Sequence, residues 1–137
     1  MTRARVIRAK NAEVDRKFEP PIIPEMGILS TTVGYPIKMT MAHAIIPAGG
    51  RNQRHYHGNT DAGQYVLKGR LKMFLGPDDD MQEVIVEQGD FVFVPKGEIH
   101  GLQNLSQTEA AELIATYDQV GTLAESGTVF VEPVWKK

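Results

Sequence analysis

Three of the chain's four histidines sit in tight spacing patterns: His55, His57 and His100. The first pattern is Gly50-x4-His55-x-His57, followed by Gly69. The second is Gly89-x5-Pro95-x-Gly97-x2-His100-x3-Asn104. Imidazole is the commonest protein ligand for catalytic metals. Two histidines two positions apart on a strand point to one face. A third, brought across from a neighbouring strand, would complete one side of a metal ion's shell. The far side stays open, which separates catalytic from structural sites. A lone histidine inside a barrel is more often a hydrogen-bonded core residue, so the joint spacing carries the argument.

These histidines need strands to hold them, and the chain reads as β throughout. Ile37 to Ile46 alternates Met39, Met41, His43 and Ile45 against Lys38, Thr40, Ala42 and Ala44, a period of two. Further strands are expected at Gln53–His57, Gln64–Leu75 (bent at Gly69), Glu83–Glu87, Phe91–Val94, His100–Leu105, Ala111–Tyr117 and Thr128–Trp135. Thr2 to Ala9 suits an edge or exchanged strand, and Pro20, Pro21 and Pro24 mark an extended arm. Gly121 to Gly127 reads as a loop or one helical turn. Many short strands with frequent turns suggest a sandwich or barrel.

The second pattern, read in full as Gly89-Asp-Phe-Val-Phe-Val-Pro95-Lys-Gly97-Glu-Ile-His100-Gly-Leu-Gln-Asn104, resembles the second motif of the cupins at every fixed position. The first motif is partial: His55-x-His57, Tyr65-Val-Leu-Lys-Gly69 and an opening glycine at Gly49 or Gly50. The resemblance covers roughly residues 37–117. It implies an all-β double-stranded β-helix, a jelly-roll barrel. One domain is expected: an N-terminal strand and arm over 1–35, a barrel core over 37–117 and a C-terminal strand over 118–137. It also implies His55, His57 and His100 as metal ligands.

One departure matters. The family usually carries a ligand glutamate seven residues before the closing glycine, and that position is Ala62. Three readings stay open: a bare three-histidine site, Gln64 as an added ligand or as a donor to one, and Asp61 swinging in from the turn. Three neutral imidazoles leave a divalent ion its full +2 charge, which favours an anionic, chelating substrate. Similar cupin sites occur in thiol, diketone-cleaving and gentisate-type dioxygenases. The resemblance therefore implies oxidoreductase chemistry on a small organic acid, enol or thiol, with Fe(II) as the expected metal. Zn, Ni, Mn or Cu suit the ligands too. A non-redox isomerase, cyclase or lyase, or a binding protein without turnover, is the alternative.

Around the metal, His43, Gln53 and Met41 are candidate pocket residues. His43 shares a face with Met39, Met41 and Ile45, and Gln53 shares parity with His55. Phe91 and Phe93 are expected in the core, and Met39, Met41 and Met73 either there or lining an apolar pocket. Glu98 is close enough in sequence to orient a ligand histidine. Arg51, Arg54 and Arg70 are able to grip a carboxylate but stay outside the expected site.

Composition narrows the rest. A chain of 137 residues is one domain by length. The net charge of −2 gives no reason to expect nucleic-acid binding. Cysteine is absent, so disulfides and thiolate ligands are excluded. No apolar run is long enough to cross a bilayer, and Met1-Thr-Arg-Ala-Arg lacks a secretory pattern. A cytoplasmic protein with a small-molecule substrate is expected, paired as a homodimer through its two terminal segments.

Overall fold

A computed structural model describes residues 3–14 and 21–132. Eleven strands appear there: β1 (Glu13–Val14), β2 (Ile23–Ile28), β3 (Met39–Ile46), β4 (His55–His57), β5 (Ala62–Lys68), β6 (Arg70–Leu75), β7 (Gln82–Glu87), β8 (Phe91–Val94), β9 (His100–Asn104), β10 (Ala111–Asp118) and β11 (Thr128–Phe130). One short helix, α1 (Ser30–Val33), and three 3-10 turns join them. The strands form two sheets. One runs β1-β2-β3-β10-β5-β8 and the other β11-β4-β9-β6-β7, with antiparallel pairing throughout. This is the jelly-roll barrel, with its core between the sheets.

Alternation decides which residues meet inside. On β3 the buried set is Thr40, Ala42, Ala44 and Ile46. Strand β10 buries Ala111, Leu113, Ala115 and Tyr117. Strand β9 buries His100, Leu102 and Asn104, with Gly101 also covered. Alanines at 42, 44 and 115 are small, so the facing sheets do not fill the space between them. A cavity remains beside the histidines.

Asn104 ties the barrel's end together. Its amide donates to the carbonyls of Ile46, Pro47 and Glu109 at 3.1, 3.2 and 2.8 Å, and its carbonyl accepts from the Ser106 amide at 2.9 Å.

Several expectations need correction. Residues 64–75 are not one bent strand. The chain changes sheets at Gly69, ending β5 in one and starting β6 in the other. Gly69 holds φ at +91°, and a Cβ there would lie 2.9 Å from that of Ala111. Only glycine tolerates both conditions. The proline-marked arm is in part strand β2, paired with β3 from Ile23↔Ile45 to Ile28↔Met41. Pro24 fits because proline needs only a position where no amide donor is called for. Residues 3–8 form no strand, and the final strand is β11 alone. Its expected continuation past Glu132 and the expected arm at 19–20 fall outside the described residues.

Phe91 and Phe93 are exposed at 80% and 69%, while Val92 and Val94 are buried. A short apolar run has no internal phase, and sheet pairing supplies it. Of the three methionines expected inside, Met73 is buried, whereas Met39 and Met41 are exposed on the other face of β3. Among the described residues, no helix is long and apolar enough to cross a membrane.

Candidate metal centre

Strand β4 is three residues long, and both its histidines point inward while Tyr56 between them does not. Strand β9 lies beside it with His100 directly opposite His55. Residues 45 positions apart in sequence thus become cross-strand neighbours. His55, His57 and His100 are 1%, 2% and 4% exposed. One nitrogen of each lies within 4.8 Å of the other two, so the group can hold a metal ion. Ring centroids are 4.9 Å apart for His55 and His57, 4.3 Å for His55 and His100, and 5.2 Å for His57 and His100.

The hydrogen bonds show which nitrogen each ring can offer. His55 Nδ1 lies 2.7 Å from the Gln53 carbonyl oxygen, and His100 Nδ1 lies 2.9 Å from that of Glu98. A carbonyl only accepts, so both Nδ1 atoms carry the proton. In the neutral ring their Nε2 atoms then carry the lone pairs, the form a metal requires. His57 Nδ1 lies 2.8 Å from the Thr128 hydroxyl on β11. Tyr117 packs edge-on against the His57 ring, and Phe130 lies tilted against that of His55. Bonds from the Nδ1 side and aromatic walls hold rings in place as metal ligands require.

Beside the rings lies a cavity of about 30 Å³, room for about two water molecules. His55, His100, Asn52, Gln64 and Tyr117 supply its polar or polarisable wall. Ile22, Ile46, Leu102, Leu113 and Leu123 are among its apolar members. Asn52 is fixed, because its Oδ1 accepts the Leu102 amide at 2.8 Å. Gln64 is different. Its Oε1 is buried and has no hydrogen-bond partner among the described residues. A buried amide oxygen with no partner costs about 1–3 kcal/mol. A cation or a donor in the cavity would remove that cost. Three imidazoles with lone pairs and one orphaned oxygen suit a divalent transition ion.

Asp61 does not turn inward. Its Oδ1 accepts the Lys96 amide at 2.8 Å. Neither do the other expected pocket residues. Gln53 donates its side-chain amide to the Glu132 carbonyl at 2.7 Å, and its useful contribution is the backbone carbonyl that His55 meets. Met41 and His43 lie on the outer face of β3, away from the metal group. The buried parity of that strand belongs to its alanines, not to the larger side chains. His43 is held there between Glu25 and Glu112, at 2.7 and 2.6 Å. Glu98 acts through its carbonyl rather than its carboxylate.

The arginines are spent elsewhere. Arg54 pairs with Asp78 and the Gly76 carbonyl. Arg51 stacks on Phe74 at 4.3 Å, with burial pushing its pKa down. Arg70 lies 3.7 Å from Glu87.

Residues that the sequence reading missed are Tyr117, Asn52, Leu123 and Thr128. The alternation of β10 carries the signal for Tyr117, since 111, 113, 115 and 117 share one parity. Thr128 has no local signal, because its contact with His57 arises from pairing across 71 positions.

Known proteins share this build. An uncharacterised protein of Methanocaldococcus jannaschii is 28% identical over 81 residues, 59% of this chain and 62% of the relative. A solved oxalate oxidase is 19% identical with a TM-score of 0.68, over 87% of this chain and 60% of its own. The oxalate decarboxylase of Bacillus subtilis is 16% identical with a TM-score of 0.75, over 96% of this chain and 33% of its own. This chain thus spans under two thirds of each of these three. A double-stranded β-helix protein of Klebsiella pneumoniae subsp. pneumoniae MGH 78578 is covered over its full length, with 96% of this chain, 14% identity and a TM-score of 0.68. At such identities the solved structures share the fold alone. The cupin domain family matches residues 42–117, which is more than half of the chain and includes all three histidines, and on that ground the chain belongs to the cupins.

Proposed function

We propose that this cupin is a metal-dependent oxidoreductase of the dioxygenase type, with Fe(II) as the resident ion and a small chelating organic acid, enol or thiol as substrate. The observation that carries the reading is the donor set. Three imidazoles form one group, the neutral amide of Gln64 lines the same cavity as His55 and His100, and Ala62 stands where the family's glutamate would be, so this donor set carries no negative charge. When bound, the ion supplies open coordination positions and, for iron, a redox couple.

The chain's own residues do the rest. His55, His57 and His100 would hold the ion. Gln64 would offer its buried amide oxygen to the ion or to a donor bound in the cavity. Leu102, Leu113 and Leu123 keep the cavity apolar, which strengthens every polar contact inside it. Asn52 presents an amide held still by the Leu102 bond.

Protein reconstituted with Fe(II) without oxygen, then mixed with thiols, diketones, hydroxylated aromatic acids and keto acids, should consume oxygen with at least one of them. Oxalate belongs in the panel, since two of the structural relatives act on it. Turnover without oxygen, with zinc or nickel in the protein as purified, would overturn the reading in favour of a Lewis-acid isomerase or lyase. Silence across the panel, with iron bound, would leave a binding protein.

A further inference from the structure

We propose that Thr128 and Ser126 are positioning residues for the metal centre, and that they lock His57 in its Nδ1–H form. The inference rests on the three-histidine reading above. It concerns residues beyond the 42–117 span of the family match.

His55 and His100 each take their tautomer from a carbonyl two residues upstream, within their own stretch of chain. His57 is held differently. Its Nδ1 faces the Thr128 hydroxyl at 2.8 Å, and a hydroxyl can donate or accept. The outcome depends on where the hydroxyl's own proton goes.

Ser126 Oγ donates to the Leu123 carbonyl at 2.6 Å. Serine has one such proton, so toward Thr128 Oγ1, 2.8 Å away, Ser126 can only accept. The Thr128 proton is therefore given to Ser126, and a lone pair of Thr128 meets His57. The imidazole must then donate from Nδ1, and its lone pair is on Nε2. A peptide carbonyl three links away sets the tautomer of a ligand.

The segment is built to keep this chain in register. Leu123–Ser126 is a 3-10 turn, and Ser126 is fully buried, so water does not compete for its hydroxyl. Gly127 turns the chain at φ +70°, where a Cβ would lie 2.7 Å from the Asn59 side chain. Strand β11 then pairs with β4 and sets Thr128 opposite His57. Gly58 and Asn59 bind the Gly127 and Ser126 carbonyls at 2.9 and 3.0 Å. The ligand strand is thus fastened to the residues that orient its second histidine.

The test uses ring nitrogen shifts of the full-length, metal-free protein, measured well above the ordinary imidazole pKa. In the wild type His57 should be protonated at Nδ1. Ser126→Ala frees the Thr128 proton, so His57 should become a mixture or switch to Nε2–H. Thr128→Val removes the acceptor and should do the same, whereas Thr128→Ser should restore the wild-type form. His55 and His100 should not change in Ser126→Ala. Metal affinity, read by chelator competition, should fall about tenfold to a hundredfold in Ser126→Ala and Thr128→Val, and recover in Thr128→Ser. His57 remaining Nδ1-protonated with full affinity in both variants would overturn the proposal. If even the wild type takes no metal, the functional reading fails while the ring shifts still decide this one.

Discussion

His43 and the trio of His55, His57 and His100 are the same side chain in two opposite settings. On the outer face of β3, both nitrogens of His43 meet carboxylates, Glu25 at 2.7 Å and Glu112 at 2.6 Å. Both nitrogens of that ring are thus occupied by carboxylates. Inside the barrel, each ring of the trio is engaged at Nδ1 by an oxygen, carbonyl for two and hydroxyl for the third. A histidine can serve as a ligand when one nitrogen has a fixed acceptor and the other is turned toward its neighbours. Burial separates the settings too. His43 is about a third exposed at its side chain, and the trio is nearly covered.

The largest expected effect comes from breaking the inner setting. His100→Ala should bring metal content, measured by elemental analysis, down to background. If His43→Gln did the same, the contrast between the two faces would be wrong.

Gln64 sharpens the comparison next. Gln64→Ala removes the orphaned oxygen and should weaken metal binding about tenfold, the scale of a lost supporting contact. Gln64→Glu should tighten it, because a carboxylate adds charge to the same position. Unchanged metal content and an unchanged absorption spectrum in Gln64→Ala would remove Gln64 from the ligand set.

The smallest effect belongs to the outer face. His43→Gln should leave metal content alone and lower the melting temperature by about 3 °C. Partly exposed ion pairs contribute about 1 kcal/mol or less, and a chain of this size shifts by a few degrees for that amount. A large loss of stability would mean that the Glu25–His43–Glu112 bridge holds β2, β3 and β10 together more strongly than its exposure implies.

The histidine cluster was legible early because its three members belong to motifs with fixed spacing. Period-two alternation on β4 placed His55 and His57 on one face without any knowledge of the partner strand. The same rule misled on β3. Alternation there separates two faces but does not say which is inner, and the larger side chains of Met41 and His43 made the wrong one look like a core. The inner face carries Thr40, Ala42, Ala44 and Ile46 instead, and its small members are what make room for the cavity. Phe91 and Phe93 failed for the same reason: two phases of a short run are equivalent until a neighbouring strand selects one. Gly69 was seen as a bend, yet whether a bend keeps a chain in one sheet or sends it to another depends on Ala111, 42 positions away.

By itself the sequence determined the family, the all-β class, the three histidines that could hold a metal and the missing glutamate. These depend on residue type and short-range spacing, which local backbone geometry converts directly into direction. Tertiary structure alone decided the orphaned Gln64 oxygen, the exile of His43 and Met41 to the outer face, and the hold of Thr128 on His57. Each of those depends on which distant strand lies alongside, and hydrogen-bonded pairing settles that only when the whole barrel closes.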